Sequence, residues 1–411
     1  MNPRLILHNG KDKALLRRHP WVFSGAVKRI EGLPLDGDIV DIYSSQGEWM
    51  ATGHYQVGES IICKVLSFET PDVDERFFRK RLGSALSYRE RLGFFDYLAH
   101  PQDSDRTDVF RLVHAEGDGL PGLVCDWYNG VVVMQAHSEG MHRLFPLFTE
   151  IWKDLLGERL KAVFDKSSAT CPNNHSDGYL LDVGTSGHLE WEIMESGNRM
   201  LINFFEGQKT GFFIDQRENR RLVQQLSHGH RVLNCFGYTG GFSLAALRGG
   251  AEFVETVDIS KKAIELCNRN VELNGGQSRH QGTVVDVLKY LDQFKYASAD
   301  TAQSGHGQFD FIILDPPAFA KNHRNLQAGL KGYRSINQRA MEALSQGGFL
   351  MTFSCSQAVS KEDFQTMVFT AAINARRQVR IVRQLPHAAD HPVSIYHPEG
   401  EYLKGLLLEI E

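Results

Sequence analysis

The chain has 411 residues, 42% hydrophobic, 23% charged and 10% aromatic, an ordinary globular composition that excludes a collagenous, disordered or disulfide-stapled protein. Its length exceeds one hydrophobic core, so two or three domains are expected. A net charge of -5 argues against a uniformly basic nucleic-acid binder but says nothing about local patches.

One such patch opens the chain, where Arg4, Lys11, Lys13, Arg17, Arg18, Lys28 and Arg29 face the single acidic residue Asp12. The N-terminal apolar run is three residues long and no stretch reaches a membrane span, so a soluble cytoplasmic protein is expected. From Arg4 to Phe68, WVFSGAV, GDIVDIYS, WMATGHY and IICKVLSF alternate between turn residues and read as about four strands of a small β-barrel. Asp74 is a candidate N-cap for a helix through Phe77, Leu82, Leu86 and Leu92. Its other side carries Arg76, Arg79, Lys80, Arg81, Arg89 and Arg91, expected to be a solvated face.

Between Val109 and Asn203, FRLVHAEG, LPGLVCDWY, GVVVMQAH and MLINFF read as strands, with a helix near His142 to Leu156. A central α+β region follows from this. From Asp215 onward helices alternate with short apolar runs, the pattern of a parallel sheet wrapped by crossover helices. The small polar stretch Ala297 to Gln308 reads as an exposed loop. The expected division is 1–68, 69–205 and 206–411.

Candidate chemistry lies in the last part. Arg231 to Cys235 (RVLNC) reads as a buried strand that leads into Phe236, Gly237, Tyr238, Thr239, Gly240 and then a helix. A Gly-rich strand-to-helix turn lets backbone approach a ligand closely, although such turns also serve tight packing alone. The next strand, FVETVD, ends in Asp258 about 20 residues later, where a carboxylate can accept from both hydroxyls of a ribose. Asp286, after Val284 and Val285, is placed to meet the exocyclic amine of an adenine. The turn lacks the GxGxxG spacing of nicotinamide enzymes.

FDFIILDPPAF then delivers Asp315 to the sheet edge and stops at Pro316 and Pro317, a rigid polar turn suited to a planar base. GGFLMTFSCS is a further buried strand ending at Ser354, Cys355 and Ser356. Of the six cysteines, none forms a CxxC pair, which fits neither a zinc site nor a disulfide framework. Cys355 differs from an inert core thiol in its place at a strand's carboxyl end beside a base site. Cytosine C5 is too poor a nucleophile to take a methyl group directly. A thiolate adding at C6 makes C5 enamine-like, with Asp315 on the N3 and N4 edge. The target base must be unpaired or flipped out, and no metal is required.

The blocks HPWVFSGAV, EGDGLPGLVCDWY, GQKTGFFIDQRENR, NCFGYTGGFSLAA, DPPAFAKN and FSCS, in this order, resemble the bacterial large-subunit (23S) ribosomal RNA cytosine-C5 methyltransferase I family across nearly the whole chain. The resemblance implies a multidomain α/β protein: an N-terminal PUA-like RNA-binding β-barrel, a central α+β domain, and a C-terminal Rossmann-like class I methyltransferase with an antiparallel strand near its end. It implies S-adenosyl-L-methionine as cofactor and ribosomal RNA as partner, with no metal and a homodimer left open. The implied catalytic residues are Cys355 and Asp315. The implied cofactor set is Asn234, Phe236, Gly237, Tyr238, Thr239, Gly240, Asp258, Asp286, Asp315 and Pro316, with Phe213, Gln216 and Arg217 added from the lead-in GFFIDQRENR. The 163–181 region departs from the family pattern. Rival readings are a ribosomal RNA guanine methyltransferase, which needs no nucleophilic cysteine, a nicotinamide oxidoreductase on the same fold, and a non-catalytic RNA-binding assembly factor.

Overall fold

The computed structural model describes residues 2–171, 175–185, 188–294, 309–320 and 322–411, so the loop expected at 297–308 lies outside the described residues. The chain forms two compact units, one of Met1–Glu195, Ile202–Asp215 and Ala389–Gly400, the other of Ser196–Leu201, Gln216–Ala388 and Glu401–Glu411. Among the described residues, no helix is long and apolar enough to cross a membrane.

The first unit begins with a six-stranded sheet of β1 (Arg4–Leu7), β2 (Trp21–Phe23), β3 (Val27–Glu31), β4 (Ile39–Tyr43), β5 (Trp49–Tyr55) and β6 (Ile61–Ser67), ordered β2-β6-β5-β4-β1-β3. Leu5, Leu7, Val22, Val40, Ile42, Cys63 and Val65 alternate inward to make its core. WVFSGAV is not one strand, because a 3-10 turn at Ser24–Ala26 separates β2 from β3. A second sheet, ordered β11-β10-β9-β8-β7, contains β7 (Val109–His114), β8 (Leu123–Tyr128), β9 (Val131–Ala136), β10 (Ala162–Asp165) and β11 (Gly178–Asp182). The poorly matching region therefore supplies most of an antiparallel pair, β10 with β11, in the register Ala162↔Asp182.

The helix Glu75–Arg91 starts where expected, with Asp74 accepting from Phe77 N–H at 3.0 Å. Its charge pattern contains a correction. Arg89 is not on a solvated face but 0% exposed. It sits seven residues after Leu82 and three after Leu86, on the helix's apolar stripe. Its guanidinium forks onto Asp118, at 2.6 and 2.9 Å to the two carboxylate oxygens, and donates to Arg111 O at 2.8 Å and Asp390 O at 2.7 Å. The fork geometry that satisfies two oxygens and two carbonyls at once is available to arginine but not to lysine.

A hairpin of β12 (Glu190–Glu195) and β13 (Asn198–Asn203) precedes the second unit's sheet. That sheet has seven strands: β14 (Arg231–Cys235), β15 (Phe253–Asp258), β16 (His280–Val284), β17 (Phe309–Leu314), β18 (Leu344–Ser354), β19 (Val379–Leu385) and β20 (Lys404–Ile410), in the order β16-β15-β14-β17-β18-β20-β19. β16 through β18 in that order are parallel, and β20 runs antiparallel to both of its neighbours. The near-continuous burial of β14 and β17 fits strands covered on both faces. Helices such as Leu326–Ala343 and Lys361–Ala375 make the crossovers, contributing Tyr333, Ile336, Ala340, Phe364 and Val368 to one core.

Truncating Arg89 to alanine strands Asp118 as a buried unpaired carboxylate. Urea unfolding of the Arg89→Ala variant is expected to show a loss of about 3–5 kcal/mol, whereas Arg76→Ala on the exposed side of the same helix stays within about 0.5 kcal/mol. Equal effects would remove Arg89 from the core's accounting.

Candidate active site

Parallel register fixes where the strands stop. Cys235 lies beside both Val257 and Leu314, Leu314 beside Thr352, and Asp258 beside Val284. The Phe236–Gly240 turn, Asp286, Asp315 and Cys355 therefore all follow carboxyl ends of strands in one sheet, and Asp258 closes another. The strand order reverses between β15-β14 and β14-β17, and a crevice at such a reversal is where open α/β sheets bind ligands.

The turn after β14 is held in an uncommon conformation. Phe236, Tyr238 and Gly240 have φ of 59°, 46° and 86°, in the left-handed region. For the two non-glycine residues this costs on the order of 1–3 kcal/mol each. Compensation comes from Gly237 N–H to Val257 O at 3.2 Å, Tyr238 N–H to Asp258 Oδ2 at 3.1 Å and Gly240 N–H to Gly237 O at 2.8 Å. A side chain at Gly237 would put its Cβ 2.2 Å from Thr256 Cγ2, and one at Gly240 would meet Cys267 Sγ at 2.5 Å. Only glycine lets this turn lie so close to its supports.

Beneath the turn runs a buried polar chain that sequence reading did not find. Asn234 Nδ2 donates to Ser243 Oγ at 2.8 Å, Ser243 Oγ meets Thr256 Oγ1 at 2.6 Å, and Thr256 Oγ1 meets His280 Nε2 at 2.7 Å. Burial holds His280 down at about 4 and therefore neutral at pH 7. Thr239 O accepts from Asn270 Nδ2 at 3.0 Å. Asn234 Oδ1 is buried with no hydrogen-bond partner among the described residues, an acceptor open to a ligand's donor.

Asp258 uses each carboxylate oxygen once on backbone, Oδ2 for Tyr238 N–H and Oδ1 for Ser260 N–H at 2.8 Å. A carboxylate has about four acceptor sites, so a ribose diol fits the remaining capacity. Asp286 is the N-cap of the helix Val287–Asp292, with Oδ1 accepting from Lys289 N–H at 3.0 Å. Part of its expected acceptor capacity is thus committed to the fold. With the open Asn234 oxygen, the strained turn and Asp258, these residues fit an adenosine-bearing cofactor.

On the other side of the reversal, Asp315 Oδ1 accepts from Gln216 Nε2 at 3.1 Å, and Gln216 Oε1 in turn accepts from Asn219 Nδ2 at 2.6 Å. Gln216 and Arg217 are both buried, and Arg217 Nε donates to Glu218 Oε1 at 3.3 Å. Phe213 belongs to the first unit, where Lys209 Nζ lies 4.4 Å from its ring centroid. The edge described here is built from second-unit residues. The Phe236 and Phe319 rings, 6.4 Å apart edge to face, bring the Gly-rich turn and the residues after the Asp-Pro-Pro turn together.

Cys355 is the half-exposed one of the six cysteines, the other five being buried. Its Sγ lies 4.0 Å from Pro316 O, so the structure brings the thiol and the Asp-Pro-Pro turn together. Ser356 Oγ, one residue on, meets Tyr333 Oη at 2.8 Å and accepts from Ala320 N–H at 3.3 Å, fixing the backbone on Cys355's C-terminal side. Lys404, absent from the sequence reading, is buried beside this strand end and donates from Nζ to Ser356 O at 2.6 Å.

Comparison with known proteins agrees with this fold. A family model for S-adenosylmethionine-dependent methyltransferases matches residues 171–393, more than half of the chain, and one for PUA-like domains matches residues 5–68. Ribosomal RNA large subunit methyltransferase I of Shigella boydii serotype 4 is 38% identical over the full length of both chains, and that of Erwinia tasmaniensis 37%. Two solved structures share the fold over 99% of each chain, one described as a methyltransferase from Streptococcus mutans (21% identity, TM-score 0.81) and one complexed with SAH (22%, TM-score 0.82). The expected fold class and cofactor both hold: the protein is a multidomain α/β S-adenosylmethionine-dependent methyltransferase with a PUA-like N-terminal domain, and the chain belongs to the ribosomal RNA large subunit methyltransferase I family.

Proposed function

We propose that this chain methylates C5 of a cytosine in RNA, and specifically in large-subunit ribosomal RNA, through a covalent bond between Cys355 Sγ and C6 of the base. The observation that carries the reading is the approach of Cys355 Sγ to within 4.0 Å of Pro316 O, which sets a half-exposed thiol against a rigid Asp-Pro-Pro turn at the sheet edge. Relatives named for ribosomal RNA support the substrate class, as does the PUA-like match. In this division residues 1–68 hold RNA, 69–205 form the central domain and 206–411 carry the chemistry.

Bound S-adenosylmethionine supplies an electrophilic methyl group. The chain's own residues do the rest. The Asp258 carboxylate and the Phe236–Gly240 backbone orient the adenosine end, with Asp286 toward the adenine and Arg217 contributing from the lead-in. The Asp315 carboxyl, one oxygen steadied by Gln216, accepts from the cytosine N4 amine and shares a proton with N3 as negative charge develops on the ring. Cys355 gives up its proton to solvent and forms the S–C6 bond, the C5=C6 π pair moving to C5. C5 takes the methyl group as the sulfur–methyl bond breaks, its pair leaving with S-adenosylhomocysteine; C5 then loses its proton to water, and the C5=C6 bond re-forms as the S–C6 bond breaks, returning the thiolate. A guanine methyltransferase would leave the thiol without a task.

The test is methyl transfer to ribosomal RNA lacking the modification, with nucleoside analysis. Wild type is expected to yield 5-methylcytosine, and Cys355→Ala to lose at least about a thousandfold in rate, as removal of a covalent nucleophile does. A different methylated base, or full activity without Cys355, overturns the reading.

Cofactor and base chemistry separate by calorimetry. Asp258→Ala removes a charged acceptor and is expected to weaken S-adenosylmethionine binding by about 10- to 100-fold, the worth of hydrogen bonds to a charged group. Cys355→Ala should leave that affinity within about twofold, and a comparable loss in both would merge two sites that this reading keeps apart.

A further inference from the structure

β20 pairs antiparallel with β18 so that Lys404 lies opposite Ser354. An ammonium is expensive there. β20 is an interior strand, Lys404 is 5% exposed, and the residues that follow it, from Gly405 to Leu408, are buried. Nζ has three N–H donors. Two go to backbone, Ser356 O at 2.6 Å and Tyr402 O at 2.7 Å. Carbonyl dipoles satisfy donors without neutralising the charge, and among the described residues no carboxylate makes an ion pair with Lys404. Glu401, the nearest acidic residue in sequence, is paired with Lys361 at 2.5 Å.

The nucleophile has the complementary need. As a thiol, Cys355 donates toward Pro316 O. Once ionised it loses that donor and faces the negative end of a carbonyl dipole, so the thiolate that must attack C6 requires a cation nearby. Tyr333 does not supply one. It is a phenol bonded to Ser356 Oγ and pushed up by burial, with the charge of Cys355 adding to the rise.

We propose that Lys404 is the positioning residue of the nucleophile: its ammonium, anchored on the carbonyls of Ser356 and Tyr402, turns its remaining N–H to Cys355 Sγ and holds the thiolate ready for addition. The inference rests on Cys355 being the nucleophile. Titration fits the geometry. Burial lowers the Lys404 ammonium to about 8, opposed first by the charge of Cys355 and then by that of Glu401, with Lys361 lowering it further. The ammonium is present at neutral pH and is lost as pH rises through that value, so its help to the thiolate is greatest at and below neutrality.

The experiment is alkylation of full-length protein by iodoacetamide from about pH 6 to about pH 10, read by mass spectrometry on the peptide containing Cys355, for wild type, Lys404→Met and Lys404→Arg. Wild type is expected to show a midpoint below that of a free thiol, about 8.5. Lys404→Met should move the midpoint up and cut the alkylation rate at neutral pH by about tenfold, and Lys404→Arg, which keeps the charge, should restore part of it. A wild-type midpoint at or above the free-thiol value overturns the proposal even if the methionine variant fails to fold, as does a folded Lys404→Met with the wild-type profile. Trapping with RNA containing 5-fluorocytosine separates the two claims. No covalent complex with wild type defeats the nucleophile reading while the Lys404 coupling stands or falls on alkylation. Complexes formed equally fast by wild type and Lys404→Met at neutral pH defeat the Lys404 proposal alone.

Discussion

Everything at the candidate site depends on the parallel pairing of β14 with β15 and β17. Parallel strands cannot be joined by a tight hairpin, so each returns through a crossover and all deliver their carboxyl ends to the same edge. The register makes this concrete: Cys235, Val257 and Leu314 share one level, and the loops that follow them carry the Gly-rich turn, Asp258 and Asp315. Had β17 slipped by one residue, its alternation would have turned Asp315 to the opposite face and left Gln216 without its 3.1 Å partner. The strained Phe236 and Tyr238 are tolerable because the same register stacks Asn234, Thr256 and His280 into a hydrogen-bonded polar chain beneath them.

Much of this edge is legible in the sequence because its constraints are local. A left-handed turn asks for glycine nearby, a rigid turn for proline, and a buried parallel strand for an unbroken apolar run, so GYTGGF and FIILDPP announce themselves without any partner. What stays hidden depends on partners far along the chain. Lys404 acts on Ser356, 48 residues away, from a strand, KGLLLEI, that reads as an ordinary apolar run. Arg89 is a different failure. Its spacing from Leu82 and Leu86 already placed it on the apolar stripe, but residue type outweighed periodicity, since a buried arginine is credible only once Asp118 is known to meet it. Asp286 shows a third kind: a strand-end carboxylate and a helix N-cap have the same local appearance, and here the second role takes one of its oxygens.

Charge tells a related story in the first unit. Two of the N-terminal cations are paired, Arg18 with Glu69 at 3.6 Å and Arg29 with Glu31 at 2.7 Å. Lys11, Lys13, Arg17 and Lys28 are exposed. For the proposed RNA role, a modest number of phosphate contacts gives binding that salt weakens readily, each contact releasing its condensed counterion. Such a surface positions RNA and does not identify a base, which leaves selection to the edge of the second unit's sheet.

The cysteines show why position, and not residue type, singles out the proposed nucleophile. Burial pushes the thiols of Cys63, Cys125, Cys235 and Cys267 upward, and in all four desolvation is the main cause with no adjacent cation strong enough to offset it. A thiol in such a place is a small apolar side chain. Cys355 stands where β18 has just ended, half-exposed, with a proline carbonyl on one side and the anchored end of β20 on the other. Antiparallel β20 is what makes that arrangement possible, since it brings residue 404 to the level of residue 354, at the carboxyl end of β18. A parallel strand in its place would lay its last residues, not its first, at that level. Antiparallel β20 thus carries a buried ammonium to the edge where the proposed thiolate forms.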